Sequence, residues 1–120
     1  MANVLLADDD PAMRDLASRA LGTEGHTVVV VHDGQEALER ATGANPPFDI
    51  LVTDVQMPAL DGISLAEQLL AAYPGLRVVL MSGLQSEMVR ADRLKNGVVH
   101  FLLKPFTLDQ LRAKVRAALA

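Results

Sequence analysis

The chain has 120 residues and a net charge of −4, and half of its residues are hydrophobic although only four are aromatic. This length suits one domain with an aliphatic core, and the negative charge argues against general nucleic-acid binding. The absence of cysteine excludes a disulfide scaffold and a thiolate metal site. There is no signal peptide and no apolar run of membrane-spanning length, so a cytoplasmic protein is predicted.

Short aliphatic runs alternate with helical patterns along the chain. The predicted strands are residues 3–7, 27–31, 49–53, 77–81 and 98–103. The predicted helices run from 11 to a glycine at 22 or 25, from 34 to about 41, from 63 to 73, from 86 to 96 and from 108 to 119. This alternation predicts an α/β fold, a single domain over residues 1–120, with five parallel strands and helices on both faces of the sheet.

Residues with capping side chains precede several of these helices. Asp10 and Asp61 are predicted N-caps, since each lies directly before a helical pattern. Residues 33–36 have the form of a capping box with aspartate at its first position, and residues 107–110 form a capping box with threonine. The helical spacing predicts that the first helix buries Met13, Leu16, Ala17, Ala20 and Leu21.

Four of the five predicted strands lead into polar side chains that parallel pairing would bring to one edge of the sheet. These side chains are Asp8 and Asp9, then Asp54, then Ser82, then Lys104. Neighbouring carboxylates repel each other and raise each other's pKa, so the arrangement favours a bound cation. Oxygen ligands alone indicate Mg²⁺, and the three histidines lie on separate elements and do not form a zinc site.

A cation, an ammonium and a hydroxyl around one carboxylate are suited to phosphoryl transfer. The cation would bind one phosphoryl oxygen, Lys104 a second and the Ser82 hydroxyl a third. Asp54 would then be the nucleophile that forms an aspartyl phosphate. Because the chain has no glycine-rich phosphate loop, ATP binding is not expected, and the donor must bring an activated phosphoryl group.

Four segments carry a resemblance to a known family. They are residues 6–10, 53–62, 81–83 and 101–106. In this order and at this spacing, they resemble the receiver domain of two-component response regulators, a flavodoxin-like family that accepts phosphate from a phosphohistidine. The resemblance covers all 120 residues. It implies a five-stranded parallel sheet with the strand order 2-1-3-4-5.

The resemblance also implies roles for the acidic residues. Asp54 would be the phosphoacceptor. Asp9, Asp54 and the backbone carbonyl of Gln56 would bind Mg²⁺ directly, and Asp8 would act through a water molecule.

Further roles follow from the same resemblance. Ser82 and Lys104 would hold the phosphoryl oxygens, and the peptide before Pro105 would be cis. Ser82 and Phe101 match the family's switch pair, but Phe101 has no hydroxyl, so the switch would depend on packing; a plain core role for Phe101 is the alternative. Leu84, where members often carry a polar residue, would shield the phosphoryl group and slow its hydrolysis.

The last third of the chain is basic. Residues 1–86 contain 4 basic and 12 acidic residues, whereas residues 87–120 contain 7 basic and 3 acidic residues. The basic excess is either an ordinary solvated surface or a partner face over residues 86–116, formed by Arg90, Arg93, Lys95, Arg112, Lys114 and Arg116. The expected partners are a sensor histidine kinase or histidine phosphotransfer protein and a downstream protein target, such as a protease or a kinase. Neither direct DNA binding nor membrane association is expected.

Three functions remain open at this point. A stand-alone receiver that signals by protein contact is the leading interpretation, because no DNA-binding motif follows the last helix. The second is a receiver cut from a larger transcriptional regulator or hybrid kinase. The third is a small Mg²⁺-dependent phosphatase with an aspartyl nucleophile. Such phosphatases usually carry a second aspartate where this chain has Gln56, so a phosphoacceptor switch is predicted instead of an enzyme.

Overall fold

Among the residues that the structure describes, five parallel strands form one sheet, with five helices in the connections between and after them. This computed structural model describes residues 1–92, 94 and 99–120. The strands are β1 Asn3–Ala7, β2 Thr27–Val31, β3 Ile50–Asp54, β4 Arg77–Ser82 and β5 Val99–Leu103. The helices are α1 Pro11–Gly22, α2 Gly34–Gly43, α3 Gly62–Ala72, α4 Gln85–Ala91 and α5 Leu108–Leu119. The strand order is β2-β1-β3-β4-β5, which confirms the predicted fold and topology.

Each face of the sheet carries its own aliphatic core. Successive side chains of a strand point to opposite faces, so Leu5 and Leu6 belong to different cores. Leu6 packs in the core that includes Leu21 of α1 and Leu111 of α5. Leu5 packs in the core that includes Ile63 of α3. Both faces of the sheet are therefore covered, so a functional site is expected at the ends of the strands.

Side-chain caps begin three of the helices as the sequence predicts. Asp10 accepts a hydrogen bond from the backbone of Ala12 at 3.0 Å, and Asp61 accepts one from the first turn of α3 at 2.9 Å. At α5, the hydroxyl of Thr107 and the side chain of Gln110 each bond the other residue's backbone amide, which completes the predicted capping box.

The capping box predicted at α2 is only half formed. Asp33 accepts a hydrogen bond from the amide of Glu36 at 2.7 Å. The Glu36 carboxylate, however, bonds the backbone and ring nitrogens of His32 at 2.9 and 2.8 Å instead of the Asp33 amide. His32 offers Glu36 two nitrogen donors, its amide and its ring. The hydrogen bond from the amide is the main reason that the pKa of Glu36 is lowered.

Two local predictions were wrong. Leu16 was expected in the core, but it is 49% exposed, because fewer positions of α1 face the core than the apolar residues of its sequence suggest. The fourth helix was expected to run from residue 86 to 96, but it begins at Gln85 and ends at Ala91. The amides of Asp92 and Leu94 bond carbonyls three residues earlier, which is typical of a helix end. Residues 93 and 95–98 lie outside the described residues.

The described part of the fold contains two cis peptide bonds before proline. The Lys104–Pro105 peptide is cis, as predicted, and so is Asn45–Pro46, which the sequence analysis did not anticipate. Within the part of the chain that the structure describes, no helix has the length and apolar character needed to cross a bilayer.

The turn between β3 and α3 contains a strained alanine. Ala59 has a φ of 70°, a region that non-glycine residues rarely occupy, and the Leu60 amide bonds the Pro58 carbonyl at 2.8 Å. The left-handed conformation costs about 1–2 kcal/mol for a residue with a Cβ atom.

We therefore expect Ala59→Gly to increase the free energy of unfolding by about 1 kcal/mol, since glycine adopts this conformation without a steric penalty. Urea denaturation measures the difference. Ala71→Gly, at an exposed position within α3, is the matched control, and we expect it to lower stability by about 1 kcal/mol. Equal losses in the two variants would show that Ala59 is not strained.

Candidate phosphoryl-acceptor site

The parallel register brings the predicted site residues to one edge of the sheet. Ala7 of β1 pairs with Thr53 of β3, and Ser82 of β4 pairs with Leu103 of β5. The residues that follow Ala7, Thr53 and Leu103 are Asp8, Asp54 and Lys104. The Lys104 amide also bonds the Ser82 carbonyl at 2.9 Å, which fixes the end of β5 beside the end of β4.

Three carboxylates and one ammonium form the centre of this edge. Asp8, Asp9 and Asp54 each place an oxygen within 4.8 Å of the others. Asp8 is fully buried, Asp54 is 8% exposed and Asp9 is exposed. The Lys104 Nζ atom lies 2.9 Å from Asp54 Oδ2, so a single described ion pair serves three neighbouring carboxylates.

The pKa shifts record this imbalance. Burial raises the pKa of Asp54, and the hydrogen bond from Lys104 only partly offsets that effect. Burial also raises the pKa of Asp8, against the opposing effects of the Asp10 amide and Lys104. Burial lowers the pKa of Lys104. The hydrogen bond and charge of Asp54, with the charges of Asp8 and Asp9, raise it by more, so the net shift is upward. The pKa of Asp54 therefore rises because burial outweighs its contact with Lys104, whereas the pKa of Lys104 rises because the neighbouring carboxylates outweigh burial.

One oxygen of Asp8 has no partner. Its Oδ1 atom accepts a hydrogen bond from the Asp10 amide at 2.9 Å, whereas Oδ2 is buried with no hydrogen bond. A buried carboxylate oxygen without a partner is costly unless a cation or an ordered water supplies one. The donor set contains only oxygen atoms, which fits a hard divalent ion such as Mg²⁺. Gln56 is exposed and lines the same groove as Asp9.

Ser82 is held by the segment that follows it. Its hydroxyl accepts a hydrogen bond from the Leu84 amide at 3.0 Å and donates one to the carboxylate of Glu87 on α4. Glu87 is only 9% exposed. This partner was not predicted, because the sequence shows a carboxylate in the first turn of the helix after β4 but not where that helix lies. Leu84 is 47% exposed at the start of α4, and its shielding role stays a prediction.

Arg90 lies against the site instead of on a separate partner face. Its Nη2 atom pairs with Asp61 Oδ2 at 2.8 Å. Burial raises the pKa of Asp61, but hydrogen bonds from the Ser64 amide and Arg90, together with the Arg90 charge, outweigh it, so the pKa is lowered. Asp9, Gln56, Glu87 and Arg90 are among the residues that line a groove of about 550 Å³ beside the acidic cluster.

A model of the response regulator receiver domain family matches residues 4–116. The chain belongs to this family. Response regulator MprA of Mycobacterium ulcerans is 40% identical over 116 residues, which are 97% of this chain and 49% of that protein. The receiver thus spans about half the length of the curated relatives it matches.

Solved structures agree with this assignment. The receiver domain of Francisella response regulator 1452 is 34% identical, with a TM-score of 0.85, over 99% of this chain and 97% of that one. The CheX–CheY–BeF₃–Mg²⁺ complex from Borrelia burgdorferi contains a chain that is 25% identical, with a TM-score of 0.86, over 98% of this chain and 89% of that one.

Two residues that were not predicted as site residues hold the acidic loops of the receiver in place. Arg14 of α1 donates a hydrogen bond to the Asp8 carbonyl at 2.8 Å. Gly62 begins α3 so close to Asp54 that a Cβ atom there would lie 2.2 Å from the Asp54 carbonyl oxygen. Both contacts act on the backbone, so side-chain patterns in the sequence do not reveal them.

The basic residues predicted to form one face are divided among different surroundings. Arg112 donates a hydrogen bond to the Ala20 carbonyl at 3.2 Å and pairs with Asp109 at 2.9 Å, and Arg116 pairs with Glu24 at 2.9 Å. These contacts direct Arg112 and Arg116 toward α1 and its C-terminal turn. Arg93 and Lys95 lie outside the described residues.

Phe101 lies at a groove between α4, β5 and α5. It is partly buried and packs against the core that contains Leu80. On its other side it lines a groove of about 520 Å³ together with Met88, Leu103 and Lys114. Phe101 therefore has both the core contact and the surface contact that a packing-based switch requires.

We expect Asp8→Asn to raise the stability of the metal-free receiver at pH 7. The variant removes one buried charge from a site with excess negative charge, and a gain of about 1 kcal/mol would raise Tm by roughly 4 °C. Protonation of Asp8 stabilises the wild type below the unfolded pKa of 3.8, and this contribution is lost as pH rises through the raised folded pKa. The difference between variant and wild type should therefore shrink as pH falls from 7 toward 4.

Thermal unfolding with and without Mg²⁺ measures this effect. Mg²⁺ should stabilise the wild type more than Asp8→Asn, because the variant has less repulsion to relieve. Asp15→Asn, at an exposed position of α1, is the control and should leave both the pH dependence and the Mg²⁺ response unchanged. A metal-free Asp8→Asn protein less stable than wild type at pH 7 would contradict the prediction.

Proposed function

We propose that residues 1–120 form a single receiver domain in which Asp54 accepts a phosphoryl group from a phosphohistidine. The donor would be a sensor histidine kinase or a histidine phosphotransfer protein. The observation that carries this proposal is the 2.9 Å contact between Lys104 and Asp54 inside a cluster of carboxylates. It combines a nucleophile, a fixed ammonium and a cation-binding donor set at one point.

Mg²⁺ is part of the proposal. Asp9, Asp54 and the Gln56 carbonyl would hold it, and Asp8 would act through a water molecule. The unpaired, buried Oδ2 atom of Asp8 supports this assignment, as does the presence of Mg²⁺ and BeF₃ in the related Borrelia burgdorferi complex. When bound, the ion offsets the carboxylate charge and the charge of the transferring phosphoryl group.

The transfer uses the chain's own side chains in defined roles. An Asp54 oxygen forms the bond to phosphorus while the bond to the donor imidazole nitrogen breaks, and that nitrogen keeps the bonding electrons. Lys104 lies where it can neutralise charge on the phosphoryl oxygens. Ser82 would donate to another phosphoryl oxygen. Because Gln56 stands where a phosphatase would have an acid/base aspartate, we propose a phosphoacceptor switch and not an enzyme with turnover.

The output of this switch would be read by protein contact. The groove lined by Phe101, Met88 and Lys114 is the surface we propose for a downstream protein, such as a protease or a kinase. Direct DNA binding by the receiver is not proposed, since the net charge is −4 and Arg90, Arg112 and Arg116 each pair with a carboxylate. The greater length of the matched relatives favours a second output, in which the receiver controls another domain of a larger regulator.

Incubation with acetyl phosphate and Mg²⁺, followed by intact-mass measurement, tests the proposal. Wild type should gain one phosphoryl group, and Asp54→Asn should gain none. Asp109→Asn, which alters an exposed carboxylate on α5, is the matched control and should be labelled like wild type. Labelling of Asp54→Asn to the wild-type extent would refute the assignment of the acceptor.

A second variant tests the role of Lys104. Lys104→Met keeps most of the side-chain length but removes the ammonium, so the labelling rate should fall by about 10²-fold, as when one transition-state donor is lost. Mg²⁺ binding should remain. The time course of labelling under the same conditions measures the rate, and an unchanged rate would exclude Lys104 from the transfer step.

A further inference from the structure

Helix α4 is attached to the candidate site at two points on one side. Glu87 accepts the hydrogen bond of Ser82, and Arg90 pairs with Asp61 at 2.8 Å. Residues three apart on a helix share a face, so both attachments act on the same side of α4. Ser82 ends β4 and Asp61 caps α3, so α4 is joined to two of the segments that surround Asp54.

The Ser82 hydroxyl has only one proton. It accepts a hydrogen bond from the Leu84 amide, and its acceptors are the Glu87 carboxylate and, at 3.2 Å, the Leu84 carbonyl. A hydrogen bond to the carboxylate is charge-assisted and is the stronger of the two. While the proton is given to Glu87, the hydroxyl cannot donate to a phosphoryl oxygen.

We propose that Glu87 is a positioning residue that holds the receiver in its resting state by competing with the phosphoryl group for the Ser82 proton. This inference rests on the proposed function and adds a regulatory element to it. When the phosphoryl group takes the proton, Glu87 loses its donor although it is only 9% exposed. A buried carboxylate without a donor is unfavourable, so α4 moves until Glu87 reaches water or another donor.

The structure of α4 suits such a movement. The helix has seven residues, and its buried residues are Glu87 and Ala91. Val89 is 76% exposed, so few apolar contacts keep the helix in place once Glu87 is released. Met88 lies beside Glu87 in the chain and lines the groove next to Phe101, so a shift of α4 changes the proposed output surface.

Binding of beryllofluoride in the presence of Mg²⁺ tests this proposal, because the complex stands in for the phosphoryl group without a transfer step. Glu87→Gln keeps the shape but replaces a charged acceptor with a neutral one, so the affinity should rise about fivefold. The double variant Ser82→Ala/Glu87→Gln should bind no more tightly than Ser82→Ala, since the gain acts through the serine proton. Isothermal titration calorimetry measures all four affinities.

Amide chemical shifts give a second readout, which a purely structural role of Glu87 would not produce. In wild type, beryllofluoride should shift the α4 amides, including those of Val89 and Ala91. In Glu87→Gln without ligand, the same amides should already lie part of the way toward their bound positions. Glu39→Gln makes the same charge change on an exposed position of α2 and should match wild type in both measurements.

Each outcome decides the question. Weaker or unchanged beryllofluoride binding by Glu87→Gln, with wild-type α4 shifts, overturns the role of Glu87. If Glu87→Gln folds poorly, Ser82→Ala removes the donor to Glu87 and should by itself shift the α4 amides in the same direction; no shift overturns the proposal. Asp54→Asn distinguishes failure of the proposed function from failure of the Glu87 proposal alone. If this variant binds beryllofluoride as tightly as wild type does, the acceptor role of Asp54 is refuted, and the Glu87 mechanism with it.

Discussion

The excess of negative charge at one edge of the sheet is the constraint on which the rest of this structure depends. Asp8 and Asp54 are buried, and Lys104 provides a single ammonium for them and for Asp9. Two aliphatic cores, one on each face of the sheet, stabilise a fold that contains this unfavourable cluster. The carboxylates are thereby held close together, as a divalent cation and a phosphoryl group require, before either is bound.

The surroundings of Asp54 differ in how firmly they are attached. Gly62 packs against the Asp54 carbonyl without space for a side chain, and Arg14 bonds the Asp8 carbonyl. Helix α4, in contrast, is joined to the site through polar side chains, those of Glu87 and Arg90. The first set of contacts preserves the acceptor geometry, whereas the second set can exchange partners. A signalling site needs both kinds of contact, because the acceptor must stay in place while a neighbouring element changes position.

The fold and most of the candidate site were predictable because their signals are local. Aliphatic runs that lead into Asp8, Asp54 and Lys104 mark strand ends, and parallel pairing then brings those ends together whatever the details of packing. The partners of Ser82 and Arg90 were not predictable, because they depend on where α4 lies in three dimensions. The same limit explains Leu16, whose apolar character says nothing about how wide the buried side of α1 is.

The unpaired oxygen of Asp8 also has a consequence for how long the protein survives in a cell. Anything that binds only the folded state reduces the unfolded population, and proteases act on that population. A receiver without the proposed cation retains the full repulsion around Asp8 and would therefore have a larger unfolded population than a loaded one. The susceptibility of the chain to proteases would then depend on the proposed Mg²⁺ binding, so the same site would affect both signalling and persistence of the folded protein.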